Sequence, residues 1–442
     1  MKRLFQPPAY IFIISILLVF NSCSATKKLS KNFDDSFENS EAFKKGIVGF
    51  IVYDPEFGKV LYEHNSEKNF TPASNTKLFT FYTGLKILGD SVPAIKYGIH
   101  NDSLVFKGTG DPTFLHHKFS DSKVLEFFDK RKEKLLYVLP NFTEEFFGPG
   151  WAWDDYKWYY AVERGDFPIY GNFVKFTFEP GNSIPNVEPS FFNKFIEIDS
   201  TYAGKTSLAI RNFYGNKFVS QHSLESIGRV QEVPFKYSPE LAVDLLSDTL
   251  NKPVKIIKKV PKHFLPLKTL YSIPTDSLYK RMLQESDNFF AEQILLMSAE
   301  KISDTLKTQI AIDYMIKEHL KVLPDEIKWV DGSGLSVYNL FTPRTMVKLL
   351  ELISEEVPRE RLFKLLPVGG QSGTLKNFYK AETPYIFAKT GTLSNTHTLS
   401  GFLKTKKGKI LIFSFMNDNY TIPTSRLKQE MERMLKNIHE NF

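Results

Sequence analysis

Cysteine is almost missing: Cys23 is the only one in 442 residues, so no internal disulfide can form and cysteine-built zinc sites are excluded. No HExxH or comparable metal-ligand string occurs either, and neither a metal nor a cofactor is expected. A membrane-length apolar run is lacking as well. The one strongly apolar stretch, Tyr10 to Phe20, is about half the roughly 20 residues a spanning helix needs. Blocks of like charge are scarce: 57 basic and 50 acidic residues leave a net +7 that is scattered along the chain. The one basic cluster, Lys255, Lys258, Lys259 and Lys262, has no aromatic ladder or nucleic-acid motif beside it, so no nucleic-acid partner is expected. No internal repeat is evident.

What is present begins with Lys2 and Arg3 ahead of that short apolar run, the layout of a signal peptide over residues 1–22. Ser22 and the lone Cys23 follow directly, and a small residue before a cysteine at this point resembles a bacterial lipoprotein cleavage site. Phe20 and Asn21 depart from that pattern, and an ordinary signal peptide with an incidental cysteine is the other reading. On both readings the protein is exported to the periplasm. On the first, Cys23 is lipidated and holds the protein on a membrane. Residues 23–45 read as a polar tether.

Gly46–Asp54 (GIVGFIVYD) reads as a strand and Lys59–His64 as a second, and the Pro/Gly turn that joins them makes a hairpin. Thr71-Pro72 opens a helix whose Leu78, Phe81, Leu85 and Leu88 recur at helical spacing, and Gly89 stops it. Between Ser91 and Lys268 short strand-like pieces alternate with Gly, Pro and Asn, with no long amphipathic helix before Pro239–Leu250. Helical periodicity returns over Thr275–Ile302 and Pro343–Glu356. Strands follow at Pro384–Lys389, His397–Lys404 and Lys409–Asn417, and a helix over Ser425–Glu440 ends the chain. Strands at the two ends therefore bracket a helical middle, as if they shared one sheet. The division expected is 46–90 with 269–442 as one discontinuous domain, and 91–268 as a β-rich insertion with room for two subdomains.

Three short strings carry chemistry. Ser74-Asn75-Thr76-Lys77 puts serine and lysine at i and i+3, neighbours on a helix face. A serine hydroxyl is a poor nucleophile until a base takes its proton, and a desolvated lysine can be that base. Ser-x-x-Lys also occurs at Ser24, Ser120, Ser277, Ser298 and Ser425, so the setting of Ser74, after a hairpin and at a Pro-marked helix start, is what singles it out. Ser286-Asp287-Asn288 lies inside the helical segment from Thr275, three small polar residues among apolar ones. Lys389-Thr390-Gly391-Thr392 follows the apolar strand YIFA and occurs once. Strand alternation puts Lys389 and Gly391 on one face, and glycine admits a close backbone approach.

In this order the three strings resemble the signature of the penicillin-binding proteins and class A β-lactamases. The 212 positions between Ser74 and Ser286 (286 − 74), filled by the β-rich stretch, make the chain most similar to the low-molecular-mass class C D-Ala-D-Ala carboxypeptidases/endopeptidases. GTGDPT from Gly108, GWAWDD from Gly150, DGSGLS from Asp331 and LPVGGQSGTL from Leu366 look like that family too. The resemblance implies an α/β (α+β) fold with a five-stranded antiparallel sheet flanked by helices. It implies Ser74 as the acylated nucleophile, Lys77 as its proton acceptor, and Ser286 and Asn288 as proton relay and substrate clamp. Lys389 would add positive charge, Thr390, Gly391 and Thr392 would meet the substrate, and the N–H groups of Ser74 and Thr392 would form an oxyanion hole. Asp111, Trp153 and Asp331 would be scaffold or cleft-wall residues. The implied partners are peptidoglycan stem peptides, with β-lactams as inhibitors.

Two competing readings keep the motifs. A β-lactamase shares all three, but no Glu-x-x-Leu-Asn string lies between Asn288 and Lys389. A non-catalytic wall-binding scaffold with the same fold is the alternative from another class, although Ser74, Lys77, Ser286, Asn288 and Lys389 are all in place.

Overall fold

Alternation in IVGFIVYD places Val48, Phe50 and Val52 on one face of a strand, and that face is buried. In the computed structural model this strand, Ile47–Asp54, lies inside a five-stranded antiparallel sheet. The order is Ile386–Leu393, Thr396–Lys404, Ile410–Asp418, Ile47–Asp54, Lys59–His64. N- and C-terminal strands thus share one sheet, as the pattern predicted. The structure describes residues 31–120, 122–179, 184–199, 208–220 and 228–442. Cys23 and the signal-peptide reading lie outside the described residues.

Two compact units are formed. The described part of the first comprises 31–75, 323–327 and 340–442. Its core joins Phe50, Phe413 and Phe415 of the sheet to Leu427, Met431, Leu435 and Ile438 of the Thr424–Asn441 helix, spaced to share one helix face. The Pro343–Glu356 helix also packs on the sheet. Thr342 caps it through Thr345 N–H at 3.1 Å, and Pro343 occupies its first turn. Gly49 permits this approach, because a Cβ there would sit 2.7 Å from Pro343 Cγ and 2.4 Å from the Phe70 ring.

The polar-tether reading needs correction at its C-terminal end. Residues 31–39 form a helix whose Phe33 and Phe37, at i and i+4, enter the core. Phe33 meets Phe50 and Tyr62 edge to face, at centroid distances of 5.6 and 5.0 Å. Burying two phenylalanines outweighs the polar character of their neighbours.

The second unit, 76–322 with 328–339, is organised by the helices Lys77–Ile87, Thr275–Gln284 and Asn288–Ser303. From Phe289 to Glu300 the last of these is buried on every side, as a central helix must be. Gly84 allows a tight crossing, since a Cβ there would lie 2.6 Å from the Tyr279 hydroxyl. Within 91–274 a five-stranded mixed sheet runs in the order Val254–Ile257, Lys134–Val138, Ser103–Gly108, Ser91–His100, Lys268–Pro274. Two three-stranded sheets accompany it.

Two local readings also need correction. The Thr71-Pro72 pair does not open an α-helix directly: Ala73–Thr76 is a 3₁₀ turn, and the α-helix starts at Lys77. Ser286-Asp287-Asn288 is not inside one helix. The first helix stops at Gln284, Ser286 takes a left-handed φ of 59°, and Asp287 caps the next helix by accepting from Phe290 N–H at 3.1 Å.

Replacing Phe33 by alanine should remove about 3 kcal/mol from the first unit, the usual loss for a core phenylalanine. A urea titration followed by intrinsic fluorescence measures it. A loss within a few tenths of a kcal/mol of zero would mean that the 31–39 helix is not part of that core.

Candidate active site

In the second unit the central object is the Lys77 ammonium, carried on the first turn of its helix and wholly buried. Nζ donates to Asn288 Oδ1 at 2.6 Å and to the Ser333 carbonyl at 2.7 Å. Burial pushes its pKa down to about 8, against the opposing pull of Asp331, Asp287 and Glu292. A neutral amine has two N–H bonds and one lone pair. Losing one proton therefore gives Nζ a lone pair with which to accept another. That is the equipment of a general base working near neutrality.

Asn288 is held from its other end, because Nδ2 donates to the Tyr160 carbonyl at 2.9 Å. This fixes the amide so that its oxygen faces Lys77. Ser286, half-buried, precedes it in a backbone conformation that a non-glycine residue adopts only at a cost of about 1–3 kcal/mol. Asp287 spends its carboxylate on capping. Asp331 is a hub: it accepts from the N–H groups of Gly334 and Ser336, the Asn339 amide and Trp151 Nε1, all within 2.9 Å. Asp111 accepts from Thr113 N–H and Ser272 Oγ, a structural role. Trp153 is 77% exposed and belongs to no core.

In the first unit, Ser74 sits half-buried on the 3₁₀ turn after Ala73, itself at a left-handed φ of 46°. Chain continuity sets Ser74 three residues before Lys77. The turn is clamped to the sheet: Asn75 Nδ2 donates to Ser400 Oγ at 3.0 Å, and Thr398 Oγ1 to the Pro72 carbonyl at 2.8 Å. Gly391 is the closest point. A Cβ there would fall 2.4 Å from Thr398 Oγ1, 2.5 Å from the Pro72 carbonyl and 2.9 Å from the Ser74 nitrogen.

Lys389–Thr392 lies on the edge strand of the sheet. Residues 367–369 cover the first part of that edge, with Gly369 N–H donating to Ile386 and Ala388 N–H to Pro367. In an antiparallel strand both polar groups of alternate residues point the same way, so Thr390 and Thr392 present theirs outward beyond Ala388. Among the described residues no backbone–backbone bond covers that stretch. It is a short edge without a strand partner, suited to pairing with an extended peptide, with a lysine already on its Thr390 carbonyl. Lys389 is buried and donates to the Thr390 carbonyl at 2.7 Å. Thr390 donates to Thr374 Oγ1 at 2.7 Å, and Thr392 Oγ1 pairs with His397 Nδ1 at 2.8 Å. Burial pushes His397 down to about 3, so that ring stays neutral.

Comparisons with known proteins establish the family and the fold. The model of the D-Ala-D-Ala carboxypeptidase 3 (S13) family matches residues 29–440. The chain belongs to that family. It is 24% identical over 411 residues to a D-alanyl-D-alanine carboxypeptidase DacB of Haemophilus influenzae, covering 84% of this chain and 85% of that protein. It is 33% identical over 165 residues to a carboxypeptidase DacB of Mycolicibacterium smegmatis, spanning 35% of this chain and 36% of that one. Among solved structures, penicillin binding protein 4 of H. influenzae superposes with a TM-score of 0.72 at 20% identity, covering 92% of this chain and 99% of that one. A structure of that same protein complexed with a β-lactam superposes at 0.67 and 18% identity, covering 94% and 99%. The fold is the mixed α/β arrangement expected, shared with penicillin binding protein 4.

Sequence reasoning named Ser74, Lys77, Ser286, Asn288 and Lys389–Thr392, and the structure brings Lys77 to Asn288 and Ser74 to Gly391. It passed over Thr374, Ser333, His397 and Glu292. Thr374 and Ser333 sit inside strings already noted (LPVGGQSGTL and DGSGLS), so a signal existed for those two. If Ser74 is the nucleophile, Gly391→Ala should slow its acylation by tenfold or more, since the turn must retreat from the new Cβ, and should lower stability by about 1–3 kcal/mol, the usual cost of overpacking. Penicillin-labelling rates beside a melting curve would show it; an unchanged rate would mean the turn relocates at no cost.

Proposed function

We propose that the chain is a serine D-Ala-D-Ala carboxypeptidase/endopeptidase acting on peptidoglycan stem peptides through an acyl-enzyme on Ser74. The observation that carries the reading is Lys77: a buried amine with two fixed acceptors, three residues after a serine on a clamped turn. Family membership supplies the reaction class.

In the mechanism, neutral Lys77 takes the Ser74 hydroxyl proton as Oγ attacks the penultimate D-alanine carbonyl. The Ser74 and Thr392 N–H groups receive the oxyanion. Collapse of the tetrahedral species expels D-alanine, whose nitrogen needs a proton; Ser286 and the newly protonated Lys77 are the relay. Water then attacks the ester, Lys77 again accepting a proton, and Ser74 is restored. The substrate backbone pairs along the open edge at Thr390 and Thr392, with the Asn288 amide as clamp and Lys389 supplying positive charge. Cleavage of a cross-link is the same step with a longer leaving group. No step calls for a metal or cofactor. A β-lactam presents an equivalent carbonyl and would acylate Ser74. Export to the periplasm, with Cys23 as a lipid anchor, places the enzyme beside this substrate and belongs to the same proposal.

Two measurements test it. A fluorescent penicillin should add one adduct to the protein, mapped by peptide mass to Ser74 and missing in Ser74→Ala; a folded protein that takes no adduct overturns the reading. The acylation rate should also depend on pH in a set direction. Below the Lys77 value of about 8 the neutral fraction falls tenfold per pH unit, so the rate should climb with pH and level off above it. A flat profile between pH 6 and 9 would remove Lys77 as the base.

A further inference from the structure

The helix that supplies Asn288 carries a second polar residue on the same face, four positions on. Glu292 is wholly buried, and the mechanism above does not use it. Its Oε1 accepts the Ser333 N–H at 2.8 Å. Its Oε2 meets Arg164 Nη1 at 3.4 Å, another buried group. The peptide group on the other side of the Ser333 Cα provides the carbonyl on which Lys77 rests. The loop lies close against the helix here, since a Cβ at Gly332 would fall 2.6 Å from the Ala291 carbonyl. Thr80 Oγ1 also donates to the Gly332 carbonyl, tying the loop to the lysine's own helix. One helix therefore holds two acceptors of Lys77, directly through Asn288 and at one remove through Glu292 and Ser333.

We propose that Glu292 is a positioning residue for the acylation step, fixing the Ser333 carbonyl against Lys77 and supplying the negative charge that tunes the lysine's basicity. This rests on the reading of Lys77 as the base. The charged groups around the pair are few. Lys77 faces Asp331, Asp287 and Glu292. Glu292 faces Asp331 and Arg164, with Glu144 on the far side of that arginine. Asp287 in turn faces Lys118. Burial and then Asp331 push the Glu292 carboxyl up to about 7, against the pull of Arg164 and the Ser333 N–H, so its charge acts on Lys77 above that pH and the acidic limb of any rate profile belongs to the cluster.

Glu292→Gln keeps the size and an acceptor for Ser333 while removing the charge. Lys77 then loses a neighbour that favours its ammonium form, and Arg164 is left with Glu144 as its carboxylate partner. The acidic limb of penicillin acylation should move about one pH unit lower, and the plateau should fall several-fold because a less basic amine is a weaker proton acceptor. Glu292→Asp keeps the charge but withdraws from Ser333; its limb should stay in place while its plateau falls. The lysine can also be watched without turnover, through the Cε resonance of ¹³C-labelled lysine assigned by Lys77→Arg. In that titration the Glu292→Gln protein should lose its Lys77 proton at lower pH than the parent. An unmoved limb and an unmoved resonance overturn the proposal. If the parent protein takes no penicillin, the acyl-enzyme reading fails, and the resonance alone still decides the role of Glu292. Should Glu292→Gln fail to fold, the aspartate variant carries the test: a plateau within twofold of the parent overturns the positioning role.

Discussion

Taking the ammonium of Lys77 out of water is the constraint on which the second unit is built. An isolated buried cation costs several kcal/mol, more than most single contacts return. The fold answers with two short hydrogen bonds, from Nζ to Asn288 and to Ser333, and with carboxylates rather than solvent around them. Each of those partners is fixed in turn. Asn288 is pinned to the Tyr160 carbonyl, and Ser333 is held by Glu292 and packed against Ala291. The central helix is buried all round because it must present these groups inward along its length. A lysine that is hard to keep charged is what the chemistry needs, and the same burial gives both properties.

The first unit works by close approach rather than by charge. The backbone of the serine turn comes closest to the sheet at Gly391, where a Cβ would collide with it. Ala73 takes a left-handed backbone and Ser286 another, both next to residues of the catalytic strings. Strain of this kind survives where surrounding contacts over-determine the geometry. Here the clamps are visible: Asn75 on Ser400 and Thr398 on Pro72 hold the turn, and the Asp287 cap follows Ser286 directly.

Much of this was legible in the sequence because it is local. A strand-like run after a Pro/Gly turn gave the strand Lys59–His64, and helical patterning gave the helices Pro239–Leu250 and Pro343–Glu356, with the bounds observed. The bracketing of the helical middle by strands pointed to one shared sheet. The break at Ser286 was missed because apolar spacing continues from Leu283 to Phe289, and nothing in a serine advertises a left-handed backbone. The helix over 31–39 was missed because Phe33 and Phe37 stand alone among charged residues, although their i, i+4 spacing was there to read. Glu292 was not legible at all. Amid FFAEQILLM a lone glutamate looks like an exposed interruption, and only tertiary packing shows that Ser333 and Arg164 lie over it.

One question is why the lysine can shed its proton without leaving a buried anion behind. Asp331 is the carboxylate that most favours the charged lysine, so it stands to lose most when Lys77 becomes neutral. Its oxygens, however, already accept from Gly334, Ser336, Asn339 and Trp151, four neutral N–H donors. Those four donors stay in place whatever the charge on Lys77. Asp287 has Lys118 within 3.8 Å, and Glu292 has Arg164. Every carboxylate near Lys77 thus has support that does not depend on the lysine's charge. The neutral base form, which acylation requires, is for that reason electrostatically tolerable, and the DGSGLS loop that seemed mere scaffold is what makes it so.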